Sequence, residues 1–227
     1  HYTQAGVSGG VDVFLFLSGY LVLGGLARRL GRSEAPRLAD FYRRTLRRLL
    51  PMSWLVAGAT MLVALVVAHQ GDLVGVGEQF LAALLYVENV WLADHQVAYG
   101  SSSTYLDPFQ HFWSLSVQLQ VFLVAPALLV LAVRGAALLR RPARPVLVPV
   151  ALLGVAAVAT GWWLADRDQA LAYFSTLARA WEFLLGAVLA VLAPHVRLPR
   201  AVRTVLGWAG LVALAVTGLL VDGAQEF

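Results

Sequence analysis

GGVDVFLFLSGYLVLGGLARRLGRSEAPRLADFYRRTLRRLLPMSWLVAGATMLVALVVAH, residues 9–69, decides the fold. Two apolar runs, 9–27 and 49–69, flank a link that carries Arg28, Arg29, Arg32, Arg37, Arg43, Arg44, Arg47 and Arg48. A helix crosses the roughly 30 Å hydrocarbon core of a bilayer with about 20 apolar residues, and both runs are of that order. Arginines crowded between two such runs mark the cytoplasmic side of a membrane, where positive residues are retained. The whole chain agrees: 59% of its 227 residues are hydrophobic and 13% charged, against roughly 25% charged in a soluble domain. A water-soluble enzyme is excluded.

Four more apolar stretches, 112–133, 145–165, 174–193 and 204–221, are also candidate spans. A seventh, EQFLAALLYVENVWL (78–92), is shorter and carries Glu88 and Asn89, which suits a re-entrant or interfacial segment. Charge decides its placement. With 78–92 not crossing, the links 28–48, 134–144 and 194–203 share one face and hold fifteen of the seventeen arginines; with it crossing, the arginines scatter over both sides. The expected fold is all-α, a polytopic transmembrane helix bundle of six spanning helices plus one re-entrant or interfacial helix, multi-pass in the plasma (inner) membrane. His1, the link 70–111, the turn 166–173 and Phe227 then face outward. The long outward link has no Lys or Arg, contains Asp72, Glu78, Glu88, Asp94 and Asp107, and ends in the turn-prone run GSSSTYLDP (100–108). Such a segment suits recognition better than mere connection. No internal repeat supports an inverted-repeat transporter.

Every basic residue is Arg, and there is no Cys. A Schiff-base or phosphate-loop lysine is therefore excluded, as are a thiolate nucleophile, a disulfide and cysteine-ligated metal. His1, His69, His95, His111 and His195 contain no i,i+4 pair, so no helical His-x-x-x-His metal site is expected. The chain starts at His1 with no leader pattern and reads as a piece of a longer protein, shortened at the N-terminus and at the C-terminus.

Polar groups inside apolar runs are costly in a bilayer and mark the places to examine. Asp12 lies near the outer end of the first run and fits either a hydrated interfacial carboxylate or a functional group. In HFWSLSVQLQVFL (111–123), Ser114, Gln118 and Val121 share one helical face, and Trp113, Ser116 and Gln120 lie around the other. The Gln118 and Gln120 amides need partners on other helices. Arg179 and Glu182, three apart in FSTLARAWEFLLGAVLA (174–190), fit a local ion pair that lowers the cost of insertion, or a guanidinium facing a phosphate or carboxylate in a wet cavity. Arg43, Arg44, Arg47 and Arg48 form a doubled i,i+4 stripe just before Pro51. The stripe orients the chain, touches anionic membrane lipids and has the geometry to grip phosphates. Nucleic acid is not an expected partner, because this charge belongs to a membrane-facing link.

In order, GGVDVFLFLSGYL (9–21), FYRRTLRRLLP (41–51), LYVENVW (85–91), HFWSLSVQLQVFLVAP (111–126) and YFSTLARAWEFLLGAVLA (173–190) resemble the acyltransferase-3 family of integral-membrane O-acyltransferases. The set covers most of the chain from Gly9 to Ala190, and the last run, 204–221, matches only as hydrophobic sequence. The resemblance makes residues 1–227 a partial membrane acyltransferase domain of bacterial type. It implies transfer of an acyl group, often acetyl, from cytoplasmic acyl-CoA to a hydroxyl of an extracytoplasmic glycan, glycolipid or exported product, with acyl-CoA as co-substrate and no bound cofactor. His1 stands where the family has its principal histidine, and the family arginine before it would precede residue 1. The resemblance thus gives His1 and Asp12 as catalytic candidates, the histidine as base or transient acyl carrier. Arg43, Arg44, Arg47, Arg48, His111, Trp113, Ser114, Gln118, Arg179 and Glu182 become candidates for positioning donor or substrate, with no metal. One departure stands out: the family often has Glu where Gln118 stands, and an amide does not transfer protons at neutral pH. The competing readings are a transporter or flippase with Arg179 and Glu182 lining its path, and a non-catalytic membrane scaffold.

Overall fold

The computed structural model describes residues 8–31, 37–67, 73–95, 107–138, 147–165 and 167–220, and among them every regular element is helical. Helix α1 (Ser8–Ser18), a π-helical turn (Gly19–Leu23) and α2 (Gly24–Gly31) make one rod. They are followed by α3 (Leu38–Val67), α4 (Leu73–Leu84), α5 (Glu88–Asp94) and α6 (Phe112–Leu138). Then come α7 (Leu147–Ala165), α8 (Gln169–Phe174), α9 (Thr176–Leu192) running into a 3-10 turn (Ala193–His195), and α10 (Arg200–Leu220).

Four stretches among the described residues are long and apolar enough to cross a membrane: Gly10–Leu30, Leu38–Val67, Phe112–Gly135 and Thr176–His195. The sequence predicts six. Helices α7 and α10, of 19 and 21 residues, lie on the other two predicted runs. The expectation of one helix over 78–92 is corrected to two, α4 with 12 residues and α5 with 7, neither long enough to span. The joint is Tyr86, a non-glycine residue at φ 58°, a left-handed conformation that needs outside support. It has that support, since its hydroxyl hydrogen-bonds Ser53 of α3 and its carbonyl accepts Gln120 Nε2 of α6 at 2.8 Å.

The helical boundaries also shift. The second half of the arginine link is part of α3, because Arg and Leu are good helix formers and Asp40 sits in the first turn, where the helix dipole favours a carboxylate. The expected turn at 166–173 contains α8, whose N-cap Asp168 accepts from the Leu171 amide at 2.9 Å. The run at 174–193 is broken at its start by Ser175, which is extended and caps α9.

Helix α9 is the hub. A Cβ on Gly19 would strike the Phe183 carbonyl, one on Gly24 the Ala190 methyl, and one on Gly186 the Phe16 carbonyl and, at 2.7 Å, the Tyr20 amide. The rod and α9 therefore touch backbone to backbone, the close approach that small residues allow in membranes. The π turn lies at this seam. Asp12 meets Arg179 at one end, and Arg28 Nη1 donates to the Ala190 carbonyl at 2.9 Å at the other, so the two run parallel.

Leu15, Leu23, Trp113, Val117, Phe122 and Phe183 form the main core around this seam. Elsewhere the surface is apolar: Leu62, Val63 and Val66 of α3 are exposed, as is every residue of α10 from 201 to 216. An apolar surface of that extent suits lipid contact.

Candidate functional site

Arg179 lies in the first turn of α9, just past the α8–α9 corner. Its Nη1 donates to Asp12 Oδ1 of α1 and to Glu182 Oε1 one turn on, both at 2.9 Å, and its Nε donates to the Tyr173 carbonyl at 3.0 Å. The guanidinium carbon lies 4.6 Å from the Tyr173 ring centroid and 5.8 Å from that of Trp113. Glu182 is sealed at 2% side-chain exposure, Arg179 is mostly covered at 17%, and Asp12 is open at 48%. The cluster is thus anchored inside and opens beside Asp12. A guanidinium has five donor hydrogens in a rigid fork, and among the described residues Nη2 makes no hydrogen bond. The arrangement is chemically suited to hold an anionic or carbonyl oxygen at Nη2.

The sequence-predicted residues divide. Asp12, Arg179, Glu182 and Trp113 come together. Trp113 is buried, packing on Tyr173 and Phe174 with centroids 5.1 and 5.4 Å apart. Gln118, one turn deeper, donates Nε2 to Ser18 Oγ at 2.8 Å and ties α6 to the rod, while its Oε1 is buried without a partner among the described residues. Among the described residues Ser114 makes one long bond, 3.4 Å to the His111 carbonyl in its own turn. His111 stands at the exposed start of α6, its ring against Phe112, where partial desolvation lowers its pKa and the Pro108 backbone bond partly offsets this. Arg43, Arg44, Arg47 and Arg48 are all exposed on α3, with Arg43 only 3.9 Å from Asp40. Tyr42 donates to the Leu123 carbonyl at 2.8 Å, so the stripe starts ten residues along α6 from Trp113, about 15 Å at helical rise, and is not part of the Arg179 cluster. His1 lies outside the described residues.

On the other side of the corner is a network the sequence reading left out of the candidate site. Gln120 Nε2 donates to the Tyr86 carbonyl at 2.8 Å and to Asn89 Oδ1 at 2.9 Å; Asn89 Nδ2 donates to the Phe174 carbonyl at 3.0 Å and Thr176 Oγ1 at 3.1 Å; the Thr176 hydroxyl donates to Gln120 Oε1. The signal was in the sequence, since Gln120 and Asn89 are amides inside apolar runs, but nothing in the spacing pairs residues 31 positions apart. The triad borders a cavity of about 470 Å³ between α5, α6 and the α8–α9 corner. Nearby, Glu88 is fully buried with neither carboxyl oxygen partnered among the described residues. Burial and the Asp107 carboxylate push its pKa up to about 8. No group of three or more potential metal-binding His, Cys, Asp or Glu residues occurs among the described residues.

The sequence pattern of the acyltransferase-3 family, an acyltransferase domain, matches residues 2–226. The chain belongs to the acyltransferase-3 family. Against individual proteins, this acyltransferase-3 chain is 29% identical over 213 residues to the peptidoglycan O-acetyltransferase OatA of Listeria monocytogenes, covering 90% of the chain and 33% of that protein. It is 30% identical over 190 residues to a Bacillus subtilis protein named "Putative peptidoglycan O-acetyltransferase YrhL", covering 83% of the chain and 29% of the relative. The chain therefore spans about a third of the length of the curated relatives it matches. No solved structure matches it. Both the Arg179 cluster and the amide triad of this acyltransferase-3 chain fall inside the matched region, and with its long apolar helices it is a multi-pass membrane protein.

Proposed function

We propose that the full-length protein is a membrane O-acetyltransferase that moves an acetyl group from cytoplasmic acyl-CoA to a hydroxyl of an extracytoplasmic glycan in the bacterial envelope. The names of the Listeria and Bacillus relatives point to peptidoglycan as the acceptor. The observation that carries the reading is Arg179, held from three sides with Nη2 left over, at the end of the α1–α9 seam that opens beside Asp12.

The chemistry asks for two things. A base must take the hydroxyl proton as the oxygen attacks the acyl carbonyl, and a donor must meet the charge that develops on the carbonyl oxygen. His1 supplies the base, and Arg179 Nη2 supplies the donor. Asp12 sets the guanidinium in place together with Glu182 and the Tyr173 carbonyl. Gln118 has no proton to transfer and serves by tying α6 to the rod. The products are the acetyl ester and the free thiol of CoA. Arg43, Arg44, Arg47 and Arg48 receive the donor's phosphates on the cytoplasmic face, and the chain crosses six times with 78–92 dipping in from outside.

The test uses the full-length protein in proteoliposomes, with labelled acetyl-CoA and a peptidoglycan acceptor. Label should appear on the glycan and fall at least 100-fold in His1→Ala and in Arg179→Ala. Transfer at the parent rate in both variants would overturn the proposal.

A further inference from the structure

The side chains that line the cavity beside the corner offer hydrogen-bond acceptors with few donors, the first-turn amides of α9 at Thr176 and Leu177, unpaired among the described residues, being backbone donors of the same lining. Both Nε2 hydrogens of Gln120, both Nδ2 hydrogens of Asn89 and the Thr176 hydroxyl hydrogen are committed inside the triad or to the Tyr86 and Phe174 carbonyls. What remains on the amides is the second lone pair of each oxygen. Asp94 and Asp168 add two carboxylates to the lining, and among the described residues no arginine or histidine belongs to it. Among the described residues no cation pairs with either carboxylate. Asp94 also sits in the last turn of α5, the end of a helix where the dipole disfavours a negative charge. Only Ser175, whose oxygen caps α9, brings a hydroxyl hydrogen not committed to the triad.

Such a lining selects by chemistry. It welcomes a ligand rich in hydroxyl or amide donors, and its two carboxylates repel phosphate, more strongly near the low-dielectric membrane than in water. At about 470 Å³ the cavity lies within the roughly 300–1,000 Å³ of small-molecule sites. It also lies next to the Arg179 cluster, because consecutive carbonyls of the corner serve the two sides: Tyr173 accepts from Arg179 and Phe174 from Asn89. We infer that this cavity is the acceptor subsite, which holds an uncharged, hydroxyl-rich sugar unit beside the reacting centre and excludes phosphate-bearing polymers and the CoA donor. The inference rests on the O-acetyltransferase reading and adds to it where the acceptor sits and which acceptors are refused.

The test is a binding measurement without turnover, on the full-length protein in nanodiscs. The probes are a β-1,4-linked N-acetylglucosamine tetramer and a poly(glycerol phosphate) of similar length. The parent should bind the sugar and not the phosphate polymer. The double variant Asp94→Asn, Asp168→Asn should bind the sugar at least tenfold more weakly, and its fold should persist because Asn caps a helix as Asp does. Val90→Trp, which adds bulk to the lining from α5, should give the same loss, with thermal melting confirming the fold of each. Parent-like sugar binding in a folded variant, no sugar binding by the parent, or equal binding of the phosphate polymer would each overturn the subsite. Acetyl transfer with no effect of these variants on sugar binding would remove the subsite alone. Cavity-dependent sugar binding without acetyl transfer would remove the enzymatic reading alone.

Discussion

Two polar assemblies meet at the Tyr173–Thr176 corner, and they solve the same problem differently. On one side Arg179 stabilises two carboxylates, Asp12 and Glu182, by charge; on the other Gln120, Asn89 and Thr176 satisfy one another as neutral groups. A polar group out of water is costly unless paired, and the neutral side pairs its groups more fully than the charged side, where Glu182 Oε2 is buried without a partner among the described residues. They differ in what is left over. The charged side keeps a guanidinium donor, which suits an oxygen whose charge grows during a reaction. The neutral side keeps only acceptor lone pairs, which suits holding a ligand that stays as it is. The corner therefore separates a place for chemistry from a place for recognition.

The strongest way to break this contrast is Arg179→Ala. It leaves Glu182 buried with no counter-charge, and removing one partner of a buried pair costs on the order of 3–5 kcal/mol. Because Asp12 is half open to solvent, the lower end, about 3 kcal/mol, is expected. Thermal melting in detergent measures it, and an unchanged melting temperature would show that the cluster is not held by charge. Next comes Thr176→Val, nearly the same shape without the hydroxyl. It deprives Gln120 Oε1 and Asn89 Nδ2 of a partner and should cost about 1–3 kcal/mol, while Thr176→Ser should recover most of it. A loss below that range, by the same melts, would mean that the triad is not a closed unit.

The smallest expected effect is at Glu88, buried beside the neutral side. Its pKa is raised from 4.5 to about 8, so at neutral pH it is mostly protonated in the folded protein. A raised folded pKa means that the folded state holds the proton more tightly than the unfolded chain. Stability from this group is complete below about pH 4.5, declines as pH rises, and is lost above about pH 8. Glu88→Gln keeps the neutrality and near-shape of the protonated form, exchanging one set of unpartnered buried polar atoms for another, and should change stability by about 1 kcal/mol or less at pH 5. It should also flatten the decline towards pH 8. Melting temperatures across that range test it, and an identical decline in parent and variant would place the titrating group elsewhere.

How much of this was legible beforehand depends on how far each contact reaches along the chain. The Arg179–Glu182 pair is three residues apart on one helix, and helical periodicity exposes it at once. Gln118 and Gln120 announce a need for partners simply by being amides in an apolar run. Which partners they find, Ser18 for one and the α5 joint for the other, follows from how three helices pack. The same holds for Asp12, whose partner Arg179 lies 167 positions away. The reading of 78–92 had the right length argument and the wrong continuity, because nothing local in LYVEN demands a left-handed Tyr86. Ser53 and Gln120, from two other helices, are what hold it there.

By itself, then, the sequence determined the all-helical membrane architecture and the family, since each depends on composition, periodicity or local order. Only the tertiary structure decided the parallel seam of the α1–α2 rod with α9, the three-sided hold on Arg179 and the cavity beside the corner. These depend on backbone contact at Gly19, Gly24 and Gly186 and on hydrogen bonds between residues far apart in the chain. The physical reason is that a bilayer dictates the length and polarity of each helix but not which neighbour it meets. That choice is made by the fit of small residues and the pairing of the few polar groups that cannot be left alone in an apolar medium.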